Sequence, residues 1–170
     1  MGLKVTILLL LVSFVPQRAD AQLDWLLKQV EFKPILKAHL KEVKRKGGPP
    51  LVSTLTFSYK NDTLAVNLSS ISLLSELEKD LPVSFTRIKN QPFLIFDGSE
   101  KLIHDKPERF ETAKAFVGGN LCDDLTYRKL LAQPGSKEVP VPCGWLYHPS
   151  IDRSLFWKGR LVKHKYIPSS

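Results

Sequence analysis

The sequence predicts an α+β fold: a single small domain with a mostly antiparallel sheet of β-hairpins, an N-terminal amphipathic helix and two or three further helices. Two observations lead there. Short segments that alternate apolar and polar residues are joined by turn-forming pairs, Asn61-Asp62 and Lys158-Gly159, as in hairpins. Segments with apolar residues three and four apart, the spacing of amphipathic helices, are interspersed between those hairpins. A leader is expected over 1–21 and one domain over 22–170, divided into a helical part 22–46, hairpins with a short helix over 51–103, a helical part 105–131 and C-terminal strands over 141–170.

The leader sets the destination. Lys4 supplies a positive start, Val5 to Val15 form an apolar run, and Pro16 ends it. Ala19 and Ala21 place small residues where a signal peptidase reads them, so cleavage is expected after Ala21. The run falls short of the roughly 20 apolar residues needed to span a bilayer. The mature chain is therefore expected to be secreted or periplasmic, without a transmembrane segment. The formal charge is +8, and losing Lys4, Arg18 and Asp20 with the leader leaves about +7. Such a balance favours anionic partners or serves solubility alone.

From Leu23 to Lys46, Leu23, Leu26, Leu27, Val30, Leu36, Leu40 and Val43 trace an apolar stripe between lysines. Pro34 interrupts it, which predicts a kink or two consecutive helices. Lys44-Arg45-Lys46 complements the carboxyl end of the helix dipole, and Gly47-Gly48-Pro49-Pro50 stops it. In the next segment Leu51, Leu55, Phe57 and Tyr59 share a face on which Ser53 is the one polar residue. Leu64, Val66 and Leu68 repeat the alternation after Asn61-Asp62, giving a hairpin with one buried face. Asn61-Asp-Thr63 and Asn67-Leu-Ser69 both satisfy the N-glycosylation pattern.

Ser72 to Asp80 reads as a short helix, with Ser75 and Glu78 at capping-box spacing. Val83 to Ile88 and Phe93 to Phe96 flank Lys-Asn-Gln-Pro as a second hairpin, and Phe93-Leu-Ile-Phe96, apolar on both faces, suits a covered central strand. Lys101 to Ile103 suggests an edge strand. Asp105 caps a helix with Pro107 in its first turn, Phe110, Ala113, Phe116 and Val117 facing the core, and Gly118-Gly119 ending it. Asn120 is placed to cap a further helix through Leu131. The tail then reads CGWLYHP, SLFW, a Lys158-Gly159 turn and RLVKHKYI, all strand-like.

Two cysteines in an exported chain point to a disulfide, Cys122 to Cys143. It would close a loop of about twenty residues, containing AQPGSKEVPVP, and stabilise the fold by roughly 3 kcal/mol. Zinc is not expected: a structural site needs about four Cys or His ligands, and no second pair stands at finger spacing. The histidines, His39, His104, His148 and His164, form no ligand motif. Neither a nucleophile elbow, a phosphate-binding loop nor a dinucleotide fingerprint is present, so no cofactor and no metal are expected.

Two constellations remain. The disulfide would bring Asp124 towards His148, where an aspartate could orient a histidine base acting on Ser150 or water. The plainer reading is that Asp123 and Asp124 complement the first turn of their helix. In the tail, Trp145, Tyr147, Phe156, Trp157 and Tyr166 interleave with Arg153, Lys158, Arg160, Lys163 and Lys165. Aromatic faces beside cations suit a sugar chain or an anionic polymer. Trp157, Lys158, Arg160, Lys163 and Tyr166 are therefore the candidate binding residues, although strict alternation sends Arg160 to the face opposite Lys163. The expected function is an exported binding or interaction domain without catalytic activity, whose partner is a protein, a glycan or another anionic molecule rather than nucleic acid. The alternatives are a small exported hydrolase using Asp124 and His148, and a structural subunit of an envelope or extracellular assembly.

Overall fold

The computed structural model describes residues 15–45, 51–79, 81–98, 107–118, 121–124 and 150–168. Within them lie helices α1 (Val15–Lys28), α2 (Phe32–Arg45), α3 (Leu74–Lys79) and α4 (Pro107–Val117). The strands are β1 (Val52–Lys60), β2 (Thr63–Ile71), β3 (Ser84–Ile88), β4 (Gln91–Asp97), β5 (Ile151–Trp157) and β6 (Arg160–Ile167). This is the single α+β domain that the sequence predicts.

Three hairpins make the sheet, and each closes through two residues with positive φ. These are Asn61 (48°) and Asp62 (58°), Lys89 (50°) and Asn90 (68°), and Lys158 (46°) and Gly159 (81°). Positive φ at both central positions gives the turn whose twist matches that of the flanking strands. Asn, Asp and Gly tolerate that region well, so four of the six residues suit their conformation. The second turn is Lys89-Asn90 alone, with Gln91 and Pro92 already in β4.

The strand order is β3-β4-β1-β2-β5-β6. β1 and β4 run parallel, with Leu55 beside Ile95, while every other neighbouring pair is antiparallel. The second hairpin has thus docked on the free side of β1, and the third on the free side of β2. Two layers of helix cover the sheet. On the inner face Leu23 and Leu26 of α1 and Phe32, Leu36 and Leu40 of α2 pack on Leu55, Phe57, Val66, Leu68, Phe93, Ile95 and Phe156. On the outer face Leu74 and Leu77 of α3 and Ala113 and Val117 of α4 pack on Val52, Leu94 and Phe96. β4 is buried from Pro92 to Phe96, as its two-sided apolar pattern requires.

Several local expectations shift. The first helical segment breaks at Gln29–Glu31, and Pro34 sits in the first turn of α2, where its missing N–H costs nothing. The break turns Val30 out of the stripe to 73% exposure. The first hairpin is covered on both faces at its start, because Val52 and Thr54 are buried under the outer layer. The α3 cap differs too: Ser75 lies inside the helix, and Glu76 Oε2 accepts from the backbone N–H groups of Ser72 and Leu73, 3.1 Å each. The leader up to Phe14, the stop at 46–50, Lys101 to Ile103, Asp105, Asn120, the helix to Leu131 and the strand from Cys143 to Pro149 lie outside the described residues.

Ser53, the polar break in the apolar face of β1, has a buried partner. His39 Nε2 lies 2.9 Å from its hydroxyl, joining α2 to the sheet. Burial lowers the His39 pKa from 6.5 to about 4, with Glu42 pulling weakly the other way. Between those values the unfolded chain takes up a proton that the folded chain refuses. This contribution is therefore fully present above about pH 6.5 and falls by on the order of 3 kcal/mol as the pH drops to about 4. Asp152, whose carboxyl is held above its usual range by burial, acts in the opposite sense. Denaturant unfolding across this range is expected to show a steeper acid loss for the wild type than for His39→Gln, and parallel profiles would contradict the assignment.

Candidate functional site

The C-terminal hairpin carries the candidate binding residues, and its register decides which of them share a surface. From Ile151↔Ile167 to Leu155↔Lys163 the two strands pair residue for residue. The register then shifts between Leu155 and Phe156, so that Phe156 faces Leu161 and Trp157 faces Arg160, with Val162 as the extra residue. A one-residue insertion inverts the alternation beyond it. Arg160, which simple alternation sends to the face opposite Lys163, joins Lys163 and Lys165 on the outer face.

Cross-strand register extends that face. Trp157 stands beside Thr63, Leu155 beside Ala65, and Arg153 beside Asn67. The outer face of β5 and β6 therefore presents Arg153, Arg160, Lys163 and Lys165 around Trp157, all of them exposed. No carboxylate stands on this face of β2, β5 or β6: the three strands contain one acid, Asp152, and it pairs with Leu68 on the inner face. Arg153 Nε donates to Asn67 Oδ1 at 3.0 Å, which fixes its guanidinium and engages the second glycosylation-pattern asparagine. Lys158, in the turn, holds its ammonium over the Trp157 ring, 4.6 Å from the centroid. Of the five candidate residues, Trp157, Arg160 and Lys163 share the face and Lys158 borders it. Tyr166 does not: it lies opposite Asp152 on the inner side, where its hydroxyl donates to Glu42 Oε1 at 3.4 Å. Trp145 and Tyr147 lie outside the described residues.

The chain matches no protein-family model, no curated protein and no solved structure.

Beneath the hairpin the inner face holds a polar cluster that spacing in the sequence does not reveal. Ser150 Oγ donates to Glu42 Oε1 at 2.9 Å, while the Ser150 carbonyl accepts from Ser69 Oγ on the outer side of β2 at 3.0 Å. His164 places Nδ1 3.3 Å from Ser154 Oγ and Nε2 3.4 Å from Asp152 Oδ1. A hydroxyl, an imidazole and a carboxylate in contact invite comparison with a nucleophile and its base. Ser154, however, is only 1% exposed, which leaves its hydroxyl no approach for an acyl carbon. The set serves instead to satisfy polar groups where the sheet edge passes under α2.

Asp124, the candidate acid, has a structural partner. Its Oδ1 accepts from the Ser75 N–H at 2.9 Å, at the start of α3. The Cys122 N–H donates to the Ser72 carbonyl and the Leu74 N–H to the Cys122 carbonyl, at 2.8 and 2.9 Å, so this segment is stitched to the same helix end. Asp124 supplies the acceptor that Leu73, preceding the helix, lacks. It thus caps α3. His148 and Cys143 lie outside the described residues. Among the described residues no three His, Cys, Asp or Glu side chains gather as a metal site. Asp124→Ala is expected to lower unfolding stability by about 1–2 kcal/mol, read by denaturant titration; unchanged stability would remove the capping role.

Proposed function

We propose that this chain is an exported binding domain that holds an anionic polysaccharide against the outer face of its C-terminal hairpin. The observation that carries this reading is the register shift at Val162, which gathers Arg153, Arg160, Lys163 and Lys165 around Trp157 on a face to which β2, β5 and β6 contribute no carboxylate. An indole stacks on the apolar face of a pyranose, and the flanking cations meet sulfate or uronate groups. Lysines on an edge strand also deter strand addition, but that service does not require an aromatic among them or cations on the neighbouring strand. α2 carries a second cationic row, Lys33, Lys37, Lys41 and Lys44, exposed and with no aromatic among them.

The same proposal includes export with cleavage after Ala21 and a Cys122–Cys143 disulfide. Such a cut would keep Leu23 and Leu26, the residues that α1 contributes to the inner core. It would remove Asp20, whose carboxylate accepts from Ser84 Oγ at 2.7 Å on the surface. A bond from Cys122 would tie the segment ahead of β5 to the start of α3, close to the Asp124 cap. No helix among the described residues is long and apolar enough to cross a membrane.

Retention on a sulfated-polysaccharide column tests the assignment. The variant Arg160→Glu, Lys163→Glu, Lys165→Glu is expected to elute at much lower salt, with affinity reduced about tenfold or more. Lys37→Glu, Lys41→Glu, Lys44→Glu, with the same change in net charge, is expected to lose far less. Equal losses would make retention a matter of net charge and overturn the proposal.

A further inference from the structure

A cleft of about 440 Å³ opens at the inner edge of the sheet, where α1 meets the turns of the first and third hairpins. Its volume is in the range of small-molecule sites, and its walls are mostly apolar: Trp25, Tyr59, Leu64 and Phe156. Trp25 stands edge-on to Phe156, with ring centroids 5.3 Å apart at 79°, so the floor is a packed aromatic pair. Gly159 takes the positive φ of 81° that the turn requires, and a Cβ there would stand in ordinary contact with the Trp25 ring, at 3.9 Å.

The charge on the rim is unequal. Asp62 lies in the tight turn of the first hairpin, with its φ of 58°, and Tyr59 OH donates to its Oδ1 at 3.4 Å. The carboxylate is thereby directed to the aromatic wall. Lys158 also lines the cleft, yet its ammonium lies over Trp157, whose side chain belongs to the opposite face of the sheet. Lys158 thus contributes its aliphatic stem to the wall and its charge to the far side. An aromatic-walled cleft with one carboxylate at its mouth is complementary to an organic cation, through the ring quadrupoles and the ion pair together.

From this we infer that the cleft between α1 and the hairpin turns binds small primary or quaternary amines with an aryl or alkyl body, the body against Trp25 and Phe156 and the nitrogen beside Asp62. The site is independent of the polysaccharide surface, since Phe156 and Trp157 point to opposite faces of β5.

Three probes of similar shape and different charge test it: 2-phenylethylamine, 2-phenylethanol and 3-phenylpropionate, titrated by calorimetry into the purified full-length chain, which keeps Ala21 and Gln22 in the cleft wall. The amine is expected to bind at least about tenfold more tightly than the carboxylate, with the alcohol between. Asp62→Asn, which keeps a residue suited to positive φ in the turn, is expected to bring the amine to the level of the alcohol and leave the alcohol unchanged. Trp25→Ala is expected to weaken all three. Tighter or equal binding of the carboxylate, an amine affinity untouched by Asp62→Asn, or no binding of any probe at millimolar concentration would each overturn the inference.

Discussion

A strand sends successive side chains to opposite sides, so each face of a six-stranded sheet must be either covered or made fit for water. α1 and α2 lie along the inner face from β4 to β5. Among the described residues, the shorter α3 and α4 lie over the outer face of β3, β4, the start of β1 and the end of β2, where Phe85, Leu94, Phe96, Val52 and Ile71 meet them. Under cover, β1 and β4 carry Val52, Leu94 and Phe96; beyond it, the same face of β2 carries Thr63, Ala65 and Asn67, and β5 and β6 carry arginine and lysine. The boundary of the helical layer thus marks where the outward residues change from apolar to polar and basic. A solvated, cationic half-face is the consequence, and the functional assignment rests on it.

The extra residue at Val162 makes that half-face coherent. Without the register shift the row on β6 would split, Arg160 joining the polar cluster on the inner side. With it, Leu161 faces inward against Phe156 and extends the core to the last strand. The same irregularity therefore improves the burial of the hairpin and concentrates its charge on the other side. Polar groups that remain inside are paired: Ser53 with His39, Ser150 with Glu42, and His164 with Ser154 and Asp152. The first two bind α2 to the sheet and its approach to β5, and the third joins β6 to β5.

Local chemistry made much of this fold legible. Asn61-Asp62 and Lys158-Gly159 mark their turns because few residue pairs tolerate two positive φ angles. Phe93 to Phe96 marks the covered strand because apolar residues on both faces leave it nowhere else to go. What escaped depends on distant partners. RLVKHKYI contains no glycine or other sign of a bulge, since the shift is set by the packing of Leu161 on Phe156. Asp124 reads from the sequence only as an acid of its own segment, and nothing local announces that it also meets Ser75, 49 positions earlier. The break ahead of Pro34 and the exposure of Val30 likewise answer to how two helices share one sheet. The aromatic cleft draws on three segments far apart in the chain, and no spacing pattern joins Trp25 to Tyr59 and Phe156.

The most direct measurement is a backbone amide chemical-shift map recorded while a short sulfated oligosaccharide is added to the purified protein. The account predicts shifts concentrated on Arg153, Leu155, Trp157, Arg160, Lys163 and Lys165, with Thr63, Ala65 and Asn67 at the margin. The α2 row from Lys33 to Lys44 and the inward residues Leu161 and His164 should change far less. Perturbations centred on α2, or spread evenly over every exposed lysine, would contradict it.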